Sequence, residues 1–283
     1  MNKEEINITL RDQERLNATL YENEANSWLI VTHGIGEHSG RHEYLQELLR
    51  ESFNLFFYDL RGHGKSSGKR GYVEHFEDYI DDLEECIAFL QKQRSMQHYV
   101  LFGHSMGALI TCGFAQTKMK TSLMPQAIFV NAPPVAIPSV LGTMVSMIPD
   151  ALLKKLASLH VSIALPGMVD LKLLSHDPSA KEEYMSDQRN LMKLHSHLLL
   201  ELIRYSREVF SKPIDPRIKS FCSYGSKDKI IDVRALEKYF TDVENSFELY
   251  KIEGAYHEIH NESQIYQKEY FKYLLMRMLE VTV

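Results

Sequence analysis

Basic charge is in short supply in this chain. Lysine and arginine total 32 against 38 aspartate and glutamate, a formal net charge of −6. Nucleic-acid-binding chains usually carry a basic excess, so no nucleic-acid partner is expected, and the balance gives no general attraction to anionic membrane. Cysteine is scarce as well: Cys86, Cys112 and Cys222 lie far apart in apolar surroundings. That count excludes a disulfide scaffold and fits buried thiols in a reducing compartment. The opening residues, MNKEEINITLRDQE, are charged and alternating, so neither a signal peptide nor a transit peptide is expected. Long apolar runs are missing. The longest uncharged stretch, Thr121–Pro149, is interrupted by Pro125, Pro133, Pro134 and Pro138, and no transmembrane segment is expected. A cytoplasmic location is the resulting expectation. Internal repeats and low-complexity segments are also absent from the sequence.

Short apolar runs alternating with helical patterns are what the chain does have. Ile6–Leu10 and Arg15–Tyr21 alternate around a polar RDQE and predict a β-hairpin. Trp28–Thr32, Leu55–Asp59, Tyr99–Phe102, Ala127–Asn131, Lys219–Tyr224 and Phe247–Ile252 read as strands. Between them Arg41–Arg50 and the stripe Phe76, Ile80, Leu83, Ile87, Leu90 read as helices, and Ser263–Leu279 closes the chain as another. This order predicts an α/β fold with a mostly parallel sheet and helices on both faces. The rhythm breaks between Pro133 and Pro216, where no strand pattern is visible and Ala151–Leu159 and Leu191–Phe210 look helical. A helical insertion over the sheet is expected there, since a plain loop of that length is uncommon.

The stretch LFGHSMGAL places Ser105 between Gly103 and Gly107, after a strand and before a helix. G-x-S-x-G in that setting is a nucleophile elbow, a sharp turn that lifts a serine hydroxyl above the sheet edge. A serine hydroxyl needs a base, and the partners of such an elbow follow in the order acid, then histidine. His257 in EGAYHEIH falls on the loop after Phe247–Ile252, at the strand's C-terminal end. For the acid, GSKDKIID offers Asp228, with Asp232 as a loop charge or helix cap. His195 and His197 sit two apart in a helical pattern, and solvated or capping roles are expected for both, as for His160 and His176. The oxyanion donors would be the backbone N–H groups of Met106, next after the serine, and Ile35 in the loop HGIGEHSGR.

The blocks HGIGEHSGRHEYL, FYDLRGHGKSSGKRGYV, GHSMGA, GSKDKIID and EGAYHEIH together resemble the monoglyceride lipase and lysophospholipase branch of the α/β-hydrolase superfamily. The resemblance runs over about residues 25 to 275. It implies an α/β-hydrolase core in two parts, 1–132 and 217–283, and a helical cap at 133–216 over an apolar acyl tunnel. It implies Ser105, Asp228 and His257 as the triad, and Glu37, Arg41, Tyr184 and His260 at the polar end that receives the alcohol group. Neither a metal nor an organic cofactor is implied. The substrate would be a small-molecule acyl ester, a monoacylglycerol or lysophospholipid, with transient contact of the cap on a membrane surface. Met144, Met147 and Met168 could line the acyl pocket or form the cap's own core, and Lys154 and Lys155 could meet head groups or simply be solvated. Arg61 and His63 are expected to brace their loop. A small-ester carboxylesterase, thioesterase or lactonase would use the same triad, and a non-catalytic ligand-binding protein is the rival from another class. A serine at position 105 argues against the aspartate-nucleophile dehalogenases and epoxide hydrolases of the superfamily.

Overall fold

The computed structural model describes residues 2–119, 124–136, 149, 152, 155, 163–166 and 170–282. Eight strands form one sheet: β1 (Asn2–Thr9), β2 (Arg15–Glu22), β3 (Ser27–Thr32), β4 (Asn54–Tyr58), β5 (His98–His104), β6 (Ala127–Asn131), β9 (Lys219–Gly225) and β10 (Phe247–Ile252). Their spatial order is β1-β2-β4-β3-β5-β6-β9-β10. β2 runs antiparallel to both its neighbours, and every pairing from β4 across to β10 is parallel. Parallel strands are covered on both faces and therefore read as continuous apolar runs, which is why WLIVT, LFFY and YVLF stand out in the sequence.

Alternate side chains of each strand feed two cores. Ile30, Phe56, Leu101 and Ile128 point into one, shared with α2 (Glu77–Arg94), α3 (Met106–Thr117) and α5 (Ser196–Val209). Leu29, Phe57, Phe102 and Phe129 point into the other, shared with α1 (Tyr44–Leu49) and α7 (Gln264–Leu279). α2 shows how the pattern becomes packing. Its Ile80, Leu83, Ile87 and Leu90 are buried on one face, and Ser95 ends it in a left-handed turn at φ 52°. Each such side chain, fully buried, contributes about 1.5–3 kcal/mol.

Between β6 and β9, the sixth and seventh strands of the sheet, lies the insertion. It contains β7 (Ala164–Pro166), α4 (Pro178–Ser186), β8 (Lys193–His195) and α5. β7 and β8 pair antiparallel as a separate ribbon, a feature the sequence pattern does not show because each strand has three residues. For the same reason the expected helix over Leu191–Phe210 is shorter, starting only at Ser196. α5 is more than a cover: Leu198, Leu202 and Tyr205 join the first core, and Tyr205 stacks on Phe76 at 4.9 Å between centroids. The expected helix Ala151–Leu159 lies mostly outside the described residues, and so do His160, Met144, Met147, Met168 and Lys154. Lys155 is exposed. Among the described residues no helix is long and apolar enough to cross a membrane.

Candidate active site

The parallel strands end at one edge, and four of the loops that leave them meet there: residues 33–41 after β3, Ser105 after β5, 226–232 after β9 and 253–262 after β10. This is where open α/β sheets gather chemistry. Ser105 has φ +53° and ψ −116°, a strained conformation for a residue with a side chain. Both flanking glycines are required by close approach. A Cβ on Gly103 would run into the carbonyl of Gly107, and one on Gly107 would run into the carbonyls of Thr32 and His33. The turn is also pinned by Ser105 N–H donating to the Asn131 carbonyl at 2.8 Å.

Three side chains predicted from the sequence come together. Ser105 Oγ lies 3.0 Å from His257 Nε2, and His257 Nδ1 lies 2.6 Å from Asp228 Oδ2. Asp228 is oriented from its other oxygen, which accepts from Ile230 N–H at 2.8 Å and Ile231 N–H at 3.2 Å. Asp232 takes the alternative role: it caps α6 (Val233–Lys238), accepting from Ala235 N–H at 3.1 Å. Burial alone would lower the His257 pKa, but the Asp228 carboxylate more than offsets that and holds it above the ordinary 6.5. The adjacent His104 is different. Burial among other histidines pushes it down to about 3, and it stays neutral against Asn131 Oδ1 at 2.7 Å.

Ile35 lines the same cavity as Ser105, Met106 follows the serine, and among the described residues neither amide is spent on a protein hydrogen bond. Glu37 fixes the Ile35 loop. Its Oε1 accepts from Gly34 N–H at 2.5 Å and meets His42 Nε2 at 2.9 Å, while Oε2 accepts from Arg41 Nε at 3.1 Å. Burial would raise this carboxyl, but His42, His104 and Arg41 together hold it well below the carboxylate range. Tyr184 on α4 donates from its hydroxyl to the Gly36 carbonyl at 2.6 Å and lies under Arg41, ring centroid 5.0 Å away. His260 packs against His42 at 4.8 Å between centroids, and burial lowers its pKa well below normal. One ligand atom from each of Glu37, His42 and His260 falls within 4.8 Å of the others. The Arg41 guanidinium on the same carboxylate opposes a cation there, and the donor set reads as a hydrogen-bond network.

Two other acids, unnoticed in the sequence, organise the site. Glu258 follows His257, pairs with Arg41 Nη2 and accepts from Asn261 Nδ2 at 2.8 Å. Glu262 has a fully buried carboxylate that accepts from Tyr256 N–H at 2.8 Å, Ser263 N–H at 2.9 Å and His176 N–H at 3.2 Å, with His176 Nδ1 2.7 Å away. His176 is thus only partly solvated, its side chain 35% exposed, and its ring is stacked on Tyr256 at 3.7 Å. His195 ends β8 at the N-cap position of α5, partly exposed and with no capping bond from its side chain, whereas His197 departs from expectation: in the first turn of α5 it is buried against the Glu74 carbonyl at 2.8 Å, and both rings contact Tyr72. Arg61 braces its loop through Asp82 at 2.5 and 2.7 Å, with His63 Nδ1 on the Arg61 carbonyl at 3.0 Å.

A cavity of about 30 Å³ opens beside the serine, lined by Ile35, Glu37, Tyr184, Glu258 and, from apolar neighbours, Leu171, Leu174 and Ile230. Arg41 and His260 stand behind this lining. A larger groove of about 550 Å³ runs beside α2, past Ile8, Phe89, Phe114 and Lys118, but shares no residue with the serine site.

Residues 23–264 match the Hydrolase_4 family, "Serine aminopeptidase, S33". The chain belongs to that family. Its relatives include "Phospholipase YtpA" of Bacillus subtilis, 25% identical over 83% of this chain and 89% of that protein. They also include "Monoglyceride lipase" of Rattus norvegicus, 29% identical over 83% of this chain and 76% of that one. An uncharacterized abhydrolase domain-containing protein of Dictyostelium discoideum is 25% identical over 95% of this chain, which spans only 28% of that protein's length. The crystal structure of Paleococcus ferrophilus monoacylglycerol lipase superposes with a TM-score of 0.80 at 25% identity, covering 94% of this chain and 99% of that one. The chain is thus an α/β-hydrolase of the branch that resembles monoglyceride lipases, and it is a hydrolytic enzyme.

Proposed function

We propose that this hydrolase cleaves carboxylic esters of acyl lipids, monoacylglycerols or lysophospholipids, through Ser105, His257 and Asp228. The single observation that carries the reading is the chain of contacts Ser105 Oγ to His257 Nε2 at 3.0 Å and His257 Nδ1 to Asp228 at 2.6 Å, on a strained elbow. The likeness to monoglyceride lipases supports the choice of acyl-lipid esters.

In the first half-reaction, Ser105 Oγ attacks the ester carbonyl carbon while its proton passes to His257 Nε2. The carbonyl oxygen gains charge and is met by the Ile35 and Met106 N–H groups, Met106 being the first residue of α3, whose N-terminus favours negative charge. Asp228 holds the imidazole tautomer and stabilises the imidazolium. The ester C–O bond then breaks, and the His257 proton goes to the leaving alcohol oxygen. Water takes the alcohol's place and bonds to the acyl carbon as it gives a proton to His257; the acyl–Oγ bond then breaks, His257 returns that proton to Ser105 Oγ, and the acid leaves.

Residues 133–216 serve as the cap, with α5 as its foot on the core and Leu171 and Leu174 over the serine. Glu37 and Tyr184 shape the polar end, and Arg41 and His260 support it from behind. Ile163, Met185 and Met192 of the insertion are about half-exposed or more, 62%, 54% and 48%, and would rest on the lipid surface that supplies the substrate.

The test is labelling with an active-site-directed fluorophosphonate, followed by a panel of monoacylglycerols and lysophospholipids, with Ser105→Ala as control. Labelling at Ser105 and turnover of medium- and long-chain esters are expected. Activity that peaks at acetyl esters and falls with longer chains moves the enzyme to the small-ester carboxylesterases, and turnover of peptides alone moves it to the aminopeptidases. An unlabelled Ser105 on folded protein leaves only a binding scaffold.

A further inference from the structure

The polar end holds one guanidinium and two carboxylates. Arg41 is nearly buried, its side chain 9% exposed, and two of its nitrogens are paired with carboxylates. Nε donates to Glu37 Oε2 at 3.1 Å, and Nη2 pairs with Glu258 Oε2. Glu258 itself is 4% exposed in its side chain, lines the cavity beside Ser105, and is steadied by Asn261 Nδ2 at 2.8 Å. Its backbone N–H donates to the Leu174 carbonyl at 2.8 Å, which ties the main chain at this position to the insertion.

We infer that Glu258 is the residue that sets leaving-group charge selectivity: by occupying Arg41 it leaves the pocket with a net negative charge, so the enzyme takes esters of uncharged alcohols and rejects those bearing a phosphate. This deepens the lipid-ester reading and rests on it. Arg41 alone would be a ready anion site, because a guanidinium matches phosphate geometry bidentately. With Nε on Glu37 and Nη2 on Glu258, its single positive charge is already matched by two carboxylates, and Glu37 and Glu258 repel the phosphate in a site where salt screens weakly. Glu258 acts on binding of the leaving group and not on the acyl transfer itself.

The experiment uses the full chain and a matched pair of substrates. One is a medium-chain monoacylglycerol below its micelle concentration; the other is the same molecule phosphorylated on its free primary hydroxyl. Wild-type kcat/KM is expected to favour the neutral ester by on the order of 30-fold, the size of an unscreened repulsion across about 8 Å at an intermediate dielectric. Glu258→Gln keeps the shape and the Asn261 contact but frees the Arg41 charge, and the ratio is expected to fall about tenfold through gain on the phosphate ester. Glu258→Ala, read the same way, covers a failure of the first variant to fold. Equal kcat/KM on the two wild-type reactions overturns the inference with no variant needed, and so does a selectivity ratio that either folded variant leaves unmoved. Turnover of neither ester, with Ser105 unlabelled, removes the hydrolase reading and the inference with it, a result distinct from unselective turnover.

Discussion

Ser105, Asp228 and His257 are presented by loops at the C-terminal ends of buried parallel strands, whereas the insertion reaches the same site through hydrogen bonds to loop backbone. Tyr184 and Leu191 both donate to the Gly36 carbonyl, at 2.6 and 2.7 Å. Glu258 N–H donates to the Leu174 carbonyl at 2.8 Å, and the His176–Glu262 pair fastens the segment after Leu171–Leu174 to the loop that carries His257. The sheet positions Ser105, Asp228 and His257 through the ends of its strands. The insertion positions the walls by a handful of polar clasps to the loops. Chemistry and selectivity are thus held by two kinds of interaction, and they are separable by mutation.

The largest effect should come from the sheet side. Asp228→Asn leaves the acceptor for Ile230 and Ile231 but allows the wrong imidazole tautomer, and kcat is expected to fall about 10⁴-fold with little change in thermal midpoint. A drop below tenfold would mean that the strand-borne triad is not the engine. Next is Glu262→Gln, on the clasp. Replacing a fully buried carboxylate that accepts from two elements should cost about 2 kcal/mol in urea unfolding. It should also lower kcat more than it raises KM, because Tyr256 and His257 share the loop it anchors. Unfolding curves that superpose with those of the wild type would place the clasp outside the energetics.

The pH profile probes the triad alone. His257 must be neutral to accept the Ser105 proton, and its folded pKa lies above 6.5. As pH falls through that raised value the base is lost, so kcat/KM should drop about tenfold per unit on an acid limb centred above 6.5. A midpoint below 6.5 contradicts the charge arrangement described for Asp228. The smallest effect belongs to Tyr184→Phe, which removes one hydroxyl-to-carbonyl bond and should cost about 1 kcal/mol. Its signature is a change in KM for esters with polyol leaving groups, leaving the acetyl-ester rate nearly constant.

Legibility in the sequence followed the same division. Four of the six strand runs, those of β3, β4, β5 and β6, and the stripe of α2 stood out because two-faced burial makes inner parallel strands largely apolar and one-sided burial gives a helix a 3.6-residue period. The serine, acid and histidine could be placed because each lies just past such a run, and the structure brings their side chains within hydrogen-bonding distance. Glu262 and His176 could not be paired in advance: they are 86 residues apart, and no local period links them. The β7–β8 ribbon has three residues in each strand, too few for alternation to register. Placing His195 and His197 on one helix failed for that reason, since the chain changes from strand to helix between them. Glu258 was overlooked beside a more conspicuous histidine, although a carboxylate next to a base and an arginine in the facing loop are a readable signal of charge matching.

The space beside Ser105, about 30 Å³, holds roughly one water molecule. Leu174, in the wall of that space, accepts through its carbonyl from the N–H of Glu258, the residue that follows His257. One tether thus joins the wall beside the serine to the footing of the imidazole, so a substitution that shifts the first is felt at the second.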